Sequence, residues 1–215
     1  MKGTFQKVAT HQEVLETFTR MPIIARISTR LAGNLAENLR YHCAQHSLDV
    51  LSDTLLFALH DGVEERMLEL LGIAAAYHDA GYLERYALNE PIGAAIAAEA
   101  MREAGSYSEA EIHEVEEMIL STQLLKGPEG FSRVAHTPHS AYLLDADLGA
   151  FGRDDFWEKC RQLREETGAE PQAFDHQTLE MLSTHVWFTP AAKVLRAPKM
   201  HQNLKELEAK LAATA

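Results

Sequence analysis

Histidine and aspartate stand at three places in this chain where together they could hold a cation. His46 stands where a helix is expected to begin, the doublet His78-Asp79 where one is expected to end, and Asp145 and Asp147 lie two apart in LLDADLGAF. Imidazole and carboxylate donors together suit divalent transition metals, which polarise a phosphoryl oxygen and lower the pKa of bound water. A second doublet, His60-Asp61, offers the same residue types. If residues 46 to 60 form one helix, however, a rise of about 1.5 Å per residue separates His46 from His60 by roughly 21 Å. Those two cannot share an ion. His46 and His78 fall on consecutive helices, whose antiparallel pairing brings the start of one beside the end of the next. Adjacent residues of a helix point about 100° apart, yet at a helix end both can converge on one ion. Asp145 and Asp147 face nearly opposite sides of a helix, so one of them reaches the site, and periodicity does not choose which.

The elements that must position these residues read as helices from end to end. Of 215 residues, 46% are apolar and 24% charged, a composition of one folded domain. Apolar positions recur at three and four throughout, which predicts an all-α fold of about ten helices. They cover roughly 10–20, 24–40, 46–60, 64–80, 90–104, 108–121, 138–150, 154–166, 172–187 and 199–212. Within a single domain over 1–215, the metal-site core spans about 40–150 and the helices of 154–212 pack on it. Gly81 is placed to cap the fourth helix. Asn89-Glu90-Pro91 opens the fifth, with Glu90 as its N-cap and Pro91 at the first helical position. Phe151, Phe156, Trp157, Phe174, Trp187 and Phe188 read as core or a subunit contact, with at most a few stacking on a base in a substrate pocket, and His60, His176, His185 and His201 as ordinary surface or packing histidines.

The formal charge of −12 repels a phosphate backbone, which argues against polymeric nucleic acid as a partner. Two cysteines, Cys43 and Cys160, and a first stretch without an apolar signal core fit a cytoplasmic protein. No apolar run approaches the roughly 20 residues of a membrane span, so no membrane partner is expected. The amphipathic ends suit a homodimer.

The segments YHCAQHSLDVL, AAAYHDAGY and LLDADLGAFG together resemble those of the HD-domain metal-dependent phosphohydrolases. That resemblance covers most of the chain and implies an all-helical fold with His46, His78, Asp79 and Asp147 as metal ligands. It favours Asp147 over Asp145, which then caps or pairs nearby. Asn89-Glu90 and the tail QNLKELEAKL are similar to one subgroup of predicted phosphohydrolases. The chain departs from that subgroup at Cys43, where asparagine is usual, and after ILSTQ, where a histidine is missing. His113, His136 and His139 fall where binuclear members carry further ligands.

These residues imply hydrolysis of a small phosphorylated compound, a nucleotide in the first instance, by a bound divalent metal. Manganese is the first choice, with iron, cobalt, nickel, zinc or magnesium as alternatives. Asp79 and Glu90 are the catalytic candidates. Glu90, held anionic by backbone N–H groups, is expected to act as a base rather than an acid. His42, one turn before His46, is a candidate hydrogen-bonding neighbour of the ligands, as is Asp145. Arg40, Arg85 and Lys199 are candidates to meet phosphate. Two other readings remain at this stage: a metal-stabilised nucleotide sensor or partner-binding protein without turnover, and a di-iron oxygenase.

Overall fold

The computed structural model describes residues 10–127 and 130–214. Among them are α1 (His11–Arg20), α2 (Pro22–Asn34), α3 (Ala44–His60), α4 (Glu65–Tyr77), α5 (Asn89–Ala104), α6 (Glu109–Leu120), α7 (Ser140–Asp147), α8 (Phe156–Thr167), α9 (Pro171–Thr184), α10 (Pro190–Leu195) and α11 (Ala197–Thr214). Two 3-10 turns, Ala80–Leu83 and Gly149–Gly152, follow α4 and α7. The only strands among the described residues are β1 (Leu125–Gly127) and β2 (Gly130–Ser132), an antiparallel hairpin pairing Leu125 with Ser132. The fold is all-α, as the periodicity predicts. No helix of the described residues is long and apolar enough to cross a membrane.

The buried apolar run at the end of α4 makes this helix the axis of the N-terminal part. Every residue from Leu70 to Tyr77 is buried, and α2, α3, α5 and α6 pack around them. α1 is started by a capping box between Thr10 and Glu13, α6 by one between Ser108 and Glu111. Tyr77 fastens α4 to α2 by donating its hydroxyl to the Ile23 carbonyl at 2.8 Å. Two glycines set how closely α5 meets the end of α4. A Cβ on Gly93 would lie 2.9 Å from the Tyr77 carbonyl oxygen and 3.0 Å from that of His78. One on Gly81 would lie 1.9 Å from the Asn89 carbonyl oxygen.

That close approach, rather than a cap, is what Gly81 provides: it lies inside the first 3-10 turn, where its φ is not positive. Nor is Glu90 the N-cap of α5. The helix begins two residues before Pro91, after Leu88 in the left-handed region at φ 55°, which makes Glu90 its second residue. Pro91 is then third, where a missing N–H still removes no intrahelical bond. α2 stops at Asn34 rather than near 40, since Gly33 and Asn34 are poor helix formers. α9 stops at Thr184 rather than 187, and the chain runs extended until α10, which periodicity did not disclose.

Candidate metal centre

Three helices deliver the donors. His46 comes from the first turn of α3, His78 and Asp79 from the end of α4, and Asp147 from the last residue of α7. One ligand atom each of His46, His78 and Asp79 lies within 4.8 Å of the others. The two imidazole Nε2 atoms stand 3.4 Å apart. Asp79 Oδ2 is 3.4 Å from His46 Nε2 and 3.3 Å from His78 Nε2. Asp147 Oδ1 approaches the same nitrogens at 3.3 and 3.6 Å. Donors about 2.0–2.2 Å from a common ion stand roughly 3.0–3.5 Å apart at the edges of a tetrahedron or octahedron, so these spacings suit a shared cation.

Two further observations fit a cation. Asp79 Oδ2 is buried and makes no hydrogen bond, which is costly for a carboxylate with nothing to neutralise it. His78 Nδ1 lies 2.8 Å from the Ala75 carbonyl, which can only accept; Nδ1 therefore carries the hydrogen, and in the neutral ring the Nε2 lone pair faces the cluster. The imidazoles are almost fully enclosed, while Asp147 and Asp79 retain 19% and 12% of their side-chain surface, so the cluster meets solvent through its carboxylates.

Electrostatics separates the two histidines. Burial holds His46 below its ordinary value against the pull of both aspartates. For His78 burial acts the same way, but the Asp79 carboxylate, aided by Asp147, wins and pushes it up to about 9. Burial would raise both aspartates, yet His78 keeps Asp79 low, and His46 with Arg133 keeps Asp147 well below the usual carboxylate range. A negative field that binds a proton at His78 also favours a metal ion.

Around the cluster stand residues that spacing could not reveal. Arg133, in the loop after β2, donates from Nη1 to Asp147 Oδ2 at 2.7 Å and from Nη2 to the Leu144 carbonyl at 2.8 Å. Glu166 of α8 receives the backbone N–H groups of Tyr41 and His42 at 2.8 and 3.0 Å and meets His42 Nδ1 at 2.5 Å. The His42 ring stacks on Tyr82 with centroids 4.5 Å apart and stands edge-on to His46 at 5.8 Å. Burial works against protonation of His42, but Glu166 and the site aspartates raise it above its ordinary value. Glu90 is half-buried, and burial raises its carboxyl, with Asp79 and Asp147 adding to the effect and its own backbone N–H opposing it. The start of the helix thus does not bring this carboxyl below its ordinary value.

Asp145 belongs to another network. It is fully buried and accepts from the Phe188 and Thr189 backbone N–H groups at 3.0 and 2.8 Å and from the Thr189 hydroxyl at 2.8 Å. His60 and Asp61 pair with each other at 3.0 Å, and Asp61 also accepts from the Ala191 N–H. His136 and His139 pair with Glu117 and Glu114 of α6, and His113 is exposed. Lys199 pairs with Asp154 at 2.8 Å, while Arg40 and Arg85 are exposed; the guanidinium bonded to a cluster residue is that of Arg133. Comparison of the chain with protein-family models, with curated proteins and with solved structures gives no match.

Proposed function

We propose that this protein is a metal-dependent phosphohydrolase of the HD type, acting on a small phosphorylated compound, with a nucleotide as the leading substrate class. The observation that carries this reading is the convergence of four donor side chains from α3, α4 and α7, with one buried carboxylate oxygen left unsatisfied. His46, His78, Asp79 and Asp147 would hold a divalent ion, and their mixed nitrogen and oxygen donors favour manganese or another transition metal over calcium. Such an ion supplies polarisation of a phosphoryl oxygen and a bound water acidic enough to deprotonate near neutral pH.

The chain's own residues set the charge and position the ester. Two carboxylates offset a divalent ion, and Arg133 then leaves the cluster locally positive, which attracts an anionic ester to a protein of net charge −12. By holding Asp147 Oδ2, Arg133 also directs Oδ1 toward the imidazoles. Glu90, a half-buried carboxylate that burial raises, would serve proton transfer at the ester. Glu166 and Tyr82 fix the His42 ring beside this space.

The decisive experiment strips the protein with a chelator, reloads it with manganese, iron, cobalt, nickel or zinc, and screens phosphomonoesters and phosphodiesters. About one tightly held ion per chain and turnover restored by a transition metal are expected. A chain that takes up no metal, or a loaded chain inactive across the panel, overturns the proposal. Inactivity combined with stabilisation by one nucleotide identifies a sensor.

A further inference from the structure

Beside the metal centre lies a second cavity, of about 200 Å³, between the end of α9, the loop after β2 and the turn after α7. Its lining includes Arg133, Leu148, Phe151, Met181, His185 and Phe188. Pockets that enclose a whole drug-sized ligand span about 300–1,000 Å³, so this one holds part of a molecule. Two residues tie it to the metal centre. Arg133 lines the cavity while bonding Asp147, and Leu148 directly follows Asp147.

The walls are apolar and aromatic. His185 stands edge-on to Phe151 at 5.4 Å and to Trp187 at 4.3 Å. Three lining side chains, Leu124, Val186 and Phe188, are 43%, 71% and 43% exposed, an apolar surface of the kind that marks a binding region. Amid and behind this surface two buried polar atoms lack a hydrogen bond, Nε1 of Trp187 and, on the lining itself, Nε2 of His185. Burial, reinforced by the Arg133 charge, pushes this imidazole down to about 4, so near neutral pH it offers one N–H donor and one lone pair. Asp145 fixes this wall through the backbone of Phe188 and Thr189.

We infer that this cavity is the base subsite of a nucleoside phosphate: a planar nitrogen heterocycle packs against Phe151 and Phe188 and hydrogen-bonds to His185, with its phosphate toward Arg133 and the metal centre. Flat apolar walls with one unsatisfied neutral imidazole match a heterocycle with a polar edge, and a sugar or alkyl chain matches them less well. The inference rests on the phosphohydrolase reading, and the test separates the two.

Metal-loaded protein is assayed with the four common nucleoside 5′-monophosphates and with glycerol 3-phosphate, which has the phosphate but no base. Binding of the corresponding nucleosides is followed in parallel by the fluorescence of Trp187, which contacts His185, in a Trp157→Phe background. At least one nucleotide is expected to exceed glycerol 3-phosphate in kcat/KM by about tenfold or more, the effect of one good hydrogen bond and some buried area. His185→Leu should shrink that ratio about tenfold with metal content unchanged. Phe188→Ala, a change at a residue 43% exposed, should shrink it too. Equal kcat/KM for all five esters, or ratios unmoved in both variants, overturns the base subsite and leaves the hydrolase standing. Saturable quenching by a nucleoside with no turnover of any ester keeps the subsite and removes the hydrolase. Neither turnover nor quenching removes both.

Discussion

The chain carries the dipeptide His-Asp twice, each time at the C-terminal end of a helix, and only one copy takes part in the cluster. His60 ends α3 with 43% of its side chain exposed and bonds the aspartate beside it. His78 ends α4 with 1% exposed, its Nδ1 spent on Ala75 and its Nε2 facing His46, Asp79 and Asp147. Helix position and residue type are alike, so the difference lies in what is packed on the helix end. Gly93 lets α5 close over the end of α4, α3 brings His46, and α7 brings Asp147. Around Asp61, by contrast, the start of α10 supplies the Ala191 N–H, and the carboxylate is used to receive it. A His-Asp doublet gains ligand character from the third and fourth groups that surrounding helices present to it.

The sharpest way to break this contrast is Asp79→Ala. Metal content should fall by more than the roughly 10–100-fold seen when a partner one step beyond a ligand is lost, and turnover to background, with helical circular dichroism retained. Wild-type metal content in this variant would mean that the first doublet is no more a ligand pair than the second. A smaller effect is expected from Glu166→Gln, which loosens the brace on His42 beside His46. Glu166 is lowered and His42 raised in the fold, so the pair contributes fully above about pH 4.3 and below about pH 6.5, the unfolded values. Its contribution fades as pH rises through the raised His42 value, or falls through the lowered Glu166 value. Melting curves should therefore place the variant about 1–2 kcal/mol below wild type near pH 5–6, with a narrowing gap at alkaline pH. A gap independent of pH would show that the ion pair carries none of it. The smallest effect belongs to His60→Ala, within about 0.5 kcal/mol and with full metal content. Comparable losses at His60 and Asp79 would erase the distinction.

Helical periodicity made the fold class readable, and the distance along one helix separated His46 from His60. His46, His78 and Asp79 as candidates and the opposite facing of Asp145 and Asp147 could likewise be inferred from the chain, while the preference for Asp147 rested on the family resemblance. Their partners could not. Arg133 sits in an irregular loop without a repeat to aim it, and Glu166 reaches His42 across 124 positions from a helix whose amphipathic pattern says only which side faces inward. α9 was expected to continue through Trp187 because its apolar residues persist. The helix ends at Thr184, and the stretch beyond it is held by Asp145, which takes up the backbone N–H groups of residues 188 and 189. Glu90 was misplaced by two helical positions because Leu88 adopts a left-handed conformation more usual for glycine or asparagine.

The eight residues of α7 serve two masters. From one side Asp147 turns to the imidazoles, and from the other Asp145 grips the strand-like stretch that carries His185 and Phe188. A deletion or insertion that rotated this short helix by a single residue, about 100°, would withdraw both carboxylates at once. Length changes between Arg133 and Ser140 should therefore be far less tolerated than loops of that size usually allow, and homologues sharing this arrangement should conserve the count as well as the residues.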